Sequence, residues 1–191
     1  KSTGKSTKDW NGSFGFRSLE APVFFGIFAE TYTMKKALIF DWGDTIMRDF
    51  DEPGPVSEWK EVAWIPGAEE SLRELHQKYV CIIATSASHS DRAGMKKALK
   101  RMGADRYFQH FYSKVELGFA KPDPRFFERI LMLSNLQAED AVMIGNLYDK
   151  DISSAKKAGL TTVFFNETGL SGDFPDADII IRRMHELSQH F

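Results

Sequence analysis

The chain has 191 residues, of which 42% are hydrophobic and 27% charged, and this is the composition of a single globular domain with a substantial core. Its formal net charge of −2 gives no electrostatic reason to expect nucleic acid or an anionic membrane surface as a partner, and no apolar run approaches the roughly 20 residues that span a bilayer. The one cysteine, Cys81, excludes an intrachain disulfide and indicates a reducing compartment, so we expect a cytoplasmic protein.

The N-terminal segment differs in composition from the remainder of the chain. Residues 1–17 are rich in Lys, Ser, Thr and Gly, and a short apolar patch follows at residues 21–29. The patch is short and no small-x-small cleavage site follows it, which disfavours a secretory signal peptide. Met34 stands directly before the first predicted strand. We therefore interpret residues 1–33 as an N-terminal extension or a leader added by cloning, and residues 34–191 as the folded domain.

Strands and helices alternate along the remainder of the chain. Short apolar runs of strand length are separated by longer segments with apolar residues at helical spacing. This alternation predicts a doubly wound α/β fold, a three-layer sandwich with a mostly parallel central sheet. The predicted strands cover residues 36–40, 80–84, 107–112, 141–144, 161–165 and 178–181. The predicted helices cover residues 67–79, 90–102, 124–133, 151–158 and 184–190.

Polar side chains stand where several of these strands end. Because open α/β sheets bind their ligands at the carboxyl ends of the strands, we expect these side chains to converge on one crevice. A carboxylate, hydroxyl groups, a lysine and a second acidic group suit phosphoryl transfer, which needs a nucleophile, charge neutralisation and usually a hard cation. The residues concerned are Asp41, Thr85, Ser86, Lys121, Asn146 and Asp151.

The order and spacing of these residues resemble the motifs of the haloacid dehalogenase-like (HAD) hydrolase superfamily. The four motifs read FDWGDT at residues 40–45, IIATS at 82–86, KPDP at 121–124 and VMIGN at 142–146, with Asp151 downstream. Any one of them is a weak signal, whereas all four in order identify the region from Met34 to the C-terminus as a member. The resemblance implies the Rossmann-like fold of the family and a hydrolase of the phosphatase class, although fold membership does not fix activity.

By position in these motifs, the resemblance implies a role for each residue. Asp41 would be the nucleophile that forms an aspartyl-phosphate. Thr85 and Ser86 would bind the phosphoryl oxygens, and Lys121 would neutralise charge on the nucleophile and the phosphoryl group. Mg²⁺ would be the cofactor.

The implied Mg²⁺ ligands are Asp41, the backbone carbonyl of Gly43, Asn146 and Asp151. Asn146 departs from the family pattern, which usually has Asp there. Its amide oxygen can bind a hard cation but brings no charge, so we expect weaker Mg²⁺ affinity.

Gly43 is the second departure, because phosphatases of the family usually carry a second Asp at this position as general acid and base. Such a group typically contributes about 10²–10⁴-fold in rate, so its loss predicts slower chemistry rather than none. Asp44, one residue further on, is a candidate substitute. It is also a common turn former, and a shift of one residue in a turn redirects the side chain.

Three of the other residues have purely structural alternatives. Thr85 can close the turn after its strand, and Lys121 can be a solvated surface lysine. Asp151 can be a helix N-cap. The combination of motifs favours the functional interpretation of each.

The chain leaves no room for the cap domain that many HAD enzymes insert. Neither the interval from Asp41 to Thr85 nor that from Thr85 to Lys121 can hold a separate domain of about 50 residues or more. The long irregular stretch at residues 48–64, rich in acids, Pro and Trp, is instead a candidate flap beside the site. Without a cap, the site would admit a large or protein-borne phosphorylated substrate, or a second copy of the chain would exclude water.

Three functions follow as hypotheses. The first is a Mg²⁺-dependent phosphatase that acts through Asp41, with activity weakened by Gly43. The second is a catalytically impaired HAD protein that binds a phosphorylated ligand or protein. The third is a 2-haloacid dehalogenase, which ranks last because dehalogenases of the family carry a sizeable cap.

Overall fold

The computed structural model describes residues 35–87 and 91–191. The predicted leader at residues 1–33 and the first residue of the helix predicted at 90–102 lie outside these ranges and remain predictions. Within the described ranges, no helix combines the length and the apolar character that crossing a bilayer requires.

A parallel sheet of six strands forms the centre of the described region and confirms the predicted α/β architecture. Its strands are β1 (Ala37–Phe40), β2 (Val80–Thr85), β3 (His110–Ser113), β4 (Ala141–Gly145), β5 (Thr161–Phe165) and β6 (Ile179–Ile181). Their order across the sheet is β3-β2-β1-β4-β5-β6, so the direction of winding changes between β1 and β4. Such a change is where open α/β sheets form their ligand crevice.

Helices cover both faces of this sheet. The described α-helices are α1 (Ala68–Leu75), α2 (Arg92–Arg101), α3 (Lys114–Leu117), α4 (Arg125–Ser134) and α5 (Ser154–Lys157). Short 3₁₀ segments lie at Val56–Glu58, Asp105–Tyr107, Ala138–Asp140 and Met184–Gln189. The last of these stands where the sequence predicts an α-helix at residues 184–190.

Alternation along β1 divides the core into two layers. Leu38 and Phe40 point to the layer that contains α1 and α2, whereas Ala37 and Ile39 point to the layer that contains α4 and α5. All four residues are fully buried. A strand buried on both faces is typical of the middle of a three-layer sandwich, which explains why its sequence is a continuous apolar run.

Two further elements differ from the predictions. The helix predicted at 151–158 begins earlier, as the π-helical turn Tyr148–Ser153. A segment this short carries too few apolar residues for their spacing to distinguish a π-helix from an α-helix. Helix α3 was not predicted, although Ser113 and Glu116 form its capping box and Gly118, with φ of 75°, ends it. The Ser-x-x-Glu pattern was the signal for this helix.

No cap domain lies within the described residues. The flap segment, defined here as residues 48–64, and α1 occupy the interval between β1 and β2. Met47 forms isolated bridges with Gly43 and Trp64, so the flap segment begins and ends next to the turn that follows β1.

Candidate active site

The carboxyl ends of β1, β2 and β4 surround a cavity with a volume of about 310 Å³. Asp41 follows β1, Thr85 ends β2, and Asp151 comes from the π-helical turn after β4. The loop between α3 and α4 contributes Lys121, and Ser86 lies on the wall next to Thr85. Gly43 also lines this cavity, so the fold brings six of the predicted site residues together, although they come from four separate segments of the chain.

Lys121 links two buried carboxylates in this cavity. Its Nζ donates to Asp41 Oδ1 at 2.5 Å and to Asp151 Oδ1 at 2.6 Å. The side chains of Lys121, Asp41 and Asp151 are 3%, 10% and 0% exposed, respectively. Groups so far from water are stable as ions only when they are paired. When all three are charged, one negative charge is left uncompensated, and this environment attracts a cation.

The same contacts shift the pKa values of Asp41 and Lys121. Burial raises the pKa of Asp41 from 3.8 to about 6, with Lys121 opposing the shift and the charge of Asp151 adding to it. Burial alone would lower the pKa of Lys121, but Asp151 and Asp41 outweigh burial and hold that pKa above its ordinary value. Lys121 therefore remains a cation throughout the neutral range and presents fixed positive charge to the cavity.

The main chain of β4 fixes Asp41, and Thr45 lies beside its carboxylate. The Asp41 N–H donates to the Ile144 carbonyl at 2.9 Å, which continues the pairing of β1 with β4. The hydroxyl of the buried Thr45 lies 3.5 Å from Asp41 Oδ2 and 3.3 Å from Asn146 Oδ1. Thr45 is not among the predicted site residues, although it is the last residue of the FDWGDT motif.

Thr85 and Ser86 each use a hydroxyl lone pair to hold the neighbouring main chain. Thr85 Oγ1 accepts from the Ala87 N–H at 3.1 Å, and Ser86 Oγ accepts from the Lys121 N–H at 2.9 Å. A hydroxyl that accepts one bond still has its proton to donate. Both residues are therefore positioned as hydrogen-bond donors to a ligand in the cavity, and Ser86 also holds the main chain that carries Lys121.

The π-helical turn holds Asp151 against Gly145. Asp151 Oδ2 accepts from the Leu147 N–H at 2.9 Å, while Oδ1 binds Lys121. A Cβ on Gly145 would lie 2.5 Å from the Cβ, Cγ and Oδ2 atoms of Asp151. Asp151 thus lies within the turn rather than capping its N-terminus, and the lack of a side chain at residue 145 makes this position possible.

Replacing Gly145 with Ala is expected to destabilise the protein and to move the Asp151 carboxylate away from Lys121. The added methyl group cannot be accommodated, because the atoms it meets belong to a fully buried side chain. We expect the free energy of unfolding to fall by about 1–3 kcal/mol, as for other overpacked cores. Urea unfolding measures this change, and a variant as stable as the original protein would contradict the packing described here.

Asp44 does not line the main cavity. Its Oδ1 accepts from Arg48 Nη1 and from the Asp49 N–H, both at 3.1 Å, and its φ is 51°. Asp44, Arg48 and Asn146 instead line a second pocket of about 110 Å³. In this arrangement Asp44 organises the turn after the first motif, in agreement with its alternative role as a turn former.

The predicted Mg²⁺ donors supply oxygen atoms of the right kind. Among the residues described, no group of three or more His, Cys, Asp or Glu side chains is arranged as a metal site. Asp41 and Asp151 provide two carboxylates, and the carbonyl of Gly43 and the amide of Asn146 would complete the set. Hard oxygen donors beside an uncompensated negative charge fit Mg²⁺. Asn146 lines the second pocket and is connected to Asp41 through Thr45.

The chain is similar in sequence to known phosphatases and similar in fold to a solved structure. The chain is 32% identical to a glyceraldehyde 3-phosphate phosphatase from Pyrococcus furiosus, over 53% of this chain and 41% of that protein. It is 31% identical to a ribulose-1,5-bisphosphate 5-phosphatase from Halopiger xanaduensis, over 62% of this chain and 49% of that protein. The crystal structure of a HAD phosphatase from Thermococcus onnurineus has the same fold, with a TM-score of 0.69 at 22% identity over 81% of this chain and 97% of that one.

The chain spans less than half the length of both curated relatives. The sequence model of the haloacid dehalogenase-like hydrolase family matches residues 29–165, which is well over half of the chain. This match includes all four motifs and the first five strands. The chain belongs to the haloacid dehalogenase-like hydrolases.

Proposed function

We propose that the protein is a phosphatase that hydrolyses phosphomonoesters through a covalent aspartyl-phosphate on Asp41. The observation that carries this proposal is the buried pair of Asp41 and Lys121 at the carboxyl end of the central strand, where the ammonium remains charged beside the nucleophile. The phosphatase names of the two relatives agree with this assignment.

Each of the polar residues of the cavity has its own role in the first step. A carboxylate oxygen of Asp41 attacks phosphorus, and the bond to the leaving-group oxygen breaks. Lys121 stabilises the negative charge on the phosphoryl group, while Thr85 and Ser86 donate hydrogen bonds to its oxygens. In the second step water attacks the phosphorus of the aspartyl-phosphate, which releases phosphate and restores the Asp41 carboxylate.

Mg²⁺ would be held by Asp41, Asp151, Asn146 and the backbone carbonyl of Gly43, and when bound it would offset charge on the phosphoryl oxygens. Asp151 would then be shared between Lys121 and the cation, which explains why a carboxylate is fully buried here.

The walls of the cavity favour a compact substrate. The apolar residues of its wall include Met47, Val56 and Trp59, and the last two belong to the flap segment. Lys150 adds a positive charge at the wall. A volume of about 310 Å³ suits a small phosphomonoester, such as those named for the relatives, and a large or protein-borne substrate remains a prediction from the sequence.

The test uses the full chain with p-nitrophenyl phosphate and a panel of small phosphomonoesters. We expect phosphate release that requires Mg²⁺, stops on addition of a chelator and returns when Mg²⁺ is restored. After an acid quench, mass spectrometry should find a phosphorylated peptide that contains Asp41.

Each alternative has its own signature in this test. Binding of a phosphate mimic such as a metallofluoride without turnover of any substrate would indicate the binding protein that Gly43 and Asn146 suggest. Halide release from a 2-haloacid, without a need for Mg²⁺, would indicate the dehalogenase. Turnover that persists in the chelator would contradict the proposed role of the cation.

A further inference from the structure

We propose that Asp49, near the start of the flap segment, is the acid–base residue of this site: it protonates the leaving group and then deprotonates the attacking water. The inference rests on the proposed phosphatase function and adds a residue that the four motifs do not contain. Both steps of the reaction need such a group, because an alkoxide is a poor leaving group and neutral water a weak nucleophile.

The Asp49 carboxylate lies next to Gly43. A Cβ placed on Gly43 would lie 3.5 Å from Asp49 Oδ2 and 3.8 Å from its Cβ. The side chain of Asp49 thus covers the space that the missing side chain of residue 43 leaves, two residues after the nucleophile. Asp49 also lines the same cavity as Asp41.

The other two carboxylates of this cavity already have roles or partners. Asp41 is the proposed nucleophile, and Asp151 uses one oxygen for Lys121 and the other for the Leu147 N–H. Asp49 forms no ion pair with any described residue; its Oδ1 accepts from the Asp51 N–H at 2.9 Å. Its Oδ2 accepts no hydrogen bond from a described residue and is available to a ligand in the cavity. Because Asp49 is exposed, it can also exchange its proton with water between the two steps.

The turn after the first motif holds Asp49 in this place. The Asp49 N–H donates to Asp44 Oδ1 at 3.1 Å, and Asp44 is itself paired with Arg48. Arg48 donates to both carboxylate oxygens of Glu167, at 2.8 and 2.9 Å, and Glu167 follows β5. A chain of charged groups therefore ties the start of the flap segment to the sheet, and Asp44 is a positioning residue for Asp49.

The proton balance of the two steps is complete with Asp49 alone. As Asp41 attacks phosphorus, the leaving oxygen takes the proton of the Asp49 carboxylic acid and departs as an alcohol. The resulting Asp49 carboxylate then accepts a proton from water while the water oxygen attacks the phosphorus of the aspartyl-phosphate. Phosphate leaves, and both residues return to their initial states.

The test compares Asp49→Asn with the original protein on two substrates. On an alkyl phosphate, whose leaving group needs a proton, we expect a loss of about 10²–10⁴-fold in turnover. On p-nitrophenyl phosphate the first step needs no proton donor, because the leaving nitrophenolate is stable. In the variant, the attack of water in the second step still lacks its general base. We therefore expect a burst of about one nitrophenol per protein, followed by slow turnover and accumulation of phosphorylated Asp41.

The matched control is Asp51→Asn, which changes an exposed acid of the same segment that does not line the cavity. Asp51 has φ of 52°, a conformation that Asn adopts readily, and its backbone bond to Asp49 is retained. This control should behave as the original protein does.

The outcomes separate this inference from the proposed function. If the original protein turns over and Asp49→Asn matches it on both substrates without a burst, the assignment of Asp49 is wrong while the phosphatase function stands. Equal losses on both substrates without a burst would also overturn it, since a purely structural defect does not depend on the leaving group. If the original protein hydrolyses no phosphomonoester, both proposals fail.

Discussion

Replacing Asp41 with Asn is expected to reduce phosphatase turnover by about 10⁴–10⁶-fold, the range typical for removal of a nucleophile. The amide keeps the shape of the side chain but cannot attack phosphorus to form the covalent intermediate. Steady-state phosphate release measures the loss, and the phosphorylated Asp41 peptide should disappear with it. Asp173→Asn, at an exposed position away from the cavity, is the control and should retain full turnover.

The same substitution is expected to make the metal-free protein more stable at neutral pH. The pKa of Asp41 is about 6 in the folded protein against an ordinary value of 3.8, so the folded state binds more protons than the unfolded state between these values. Stability is therefore lost as the pH rises through this window, and it stays low above it. Asn removes this cost and leaves Lys121 paired with Asp151.

We expect the gain from Asp41→Asn to be on the order of 3 kcal/mol at pH 8 and to shrink towards pH 4, because each unit of the pKa shift from 3.8 to about 6 corresponds to about 1.4 kcal/mol. Urea unfolding in a chelating buffer at both pH values measures it. A stable but inactive variant would show that turnover is lost through the missing nucleophile rather than through unfolding. A gain that is larger at pH 4 than at pH 8 would contradict the raised pKa.

Replacing Lys121 with Met is expected to affect both stability and activity. Removing the ammonium leaves Asp41 and Asp151 buried without a counter-charge, and breaking such a buried pair typically costs about 3–5 kcal/mol. Loss of the positive charge at the phosphoryl site should lower turnover by about 10²–10³-fold as well. Urea unfolding and phosphate release on the same preparation measure the two effects.

Two further variants isolate the cause of this instability. Lys156→Met breaks an ion pair with Asp178 in which both side chains are more than a third exposed, so we expect a cost below about 1 kcal/mol. Lys121→Met combined with Asp151→Asn removes one of the two uncompensated negative charges and should recover part of the lost stability. If Lys121→Met cost no more than Lys156→Met, the trio would not be the buried ionic centre described here.

Local patterns in the sequence were sufficient to predict the fold and the family. The apolar run of β1 ends at Asp41, and a run of that kind requires a strand buried on both faces. Once β1, β2 and β4 are parallel neighbours, Asp41 and Thr85 must lie at the same edge. The order of the four motifs then identified the family, because each motif is a contiguous segment.

The contacts that only the tertiary structure decided are those between segments distant in sequence. The sequence placed Lys121 and Asp151 at the site, but it did not predict that the ammonium of Lys121 binds two carboxylates at once. That geometry depends on the π-helical turn and on the space left by Gly145. Turn propensity alone could not decide whether Asp44 faces the cavity.

Asp49 shows the same limit most clearly. It lies in an irregular segment with no periodicity to read, and its approach to Gly43 depends on the ion pair between Arg48 and Glu167, 119 residues apart. The sequence by itself therefore determined the fold, the family and the residues at the strand ends, since local hydrophobic pattern and motif order specify them. The position of each carboxylate relative to Lys121 and Gly43 was decided by long-range packing and charge pairing, which no local pattern encodes.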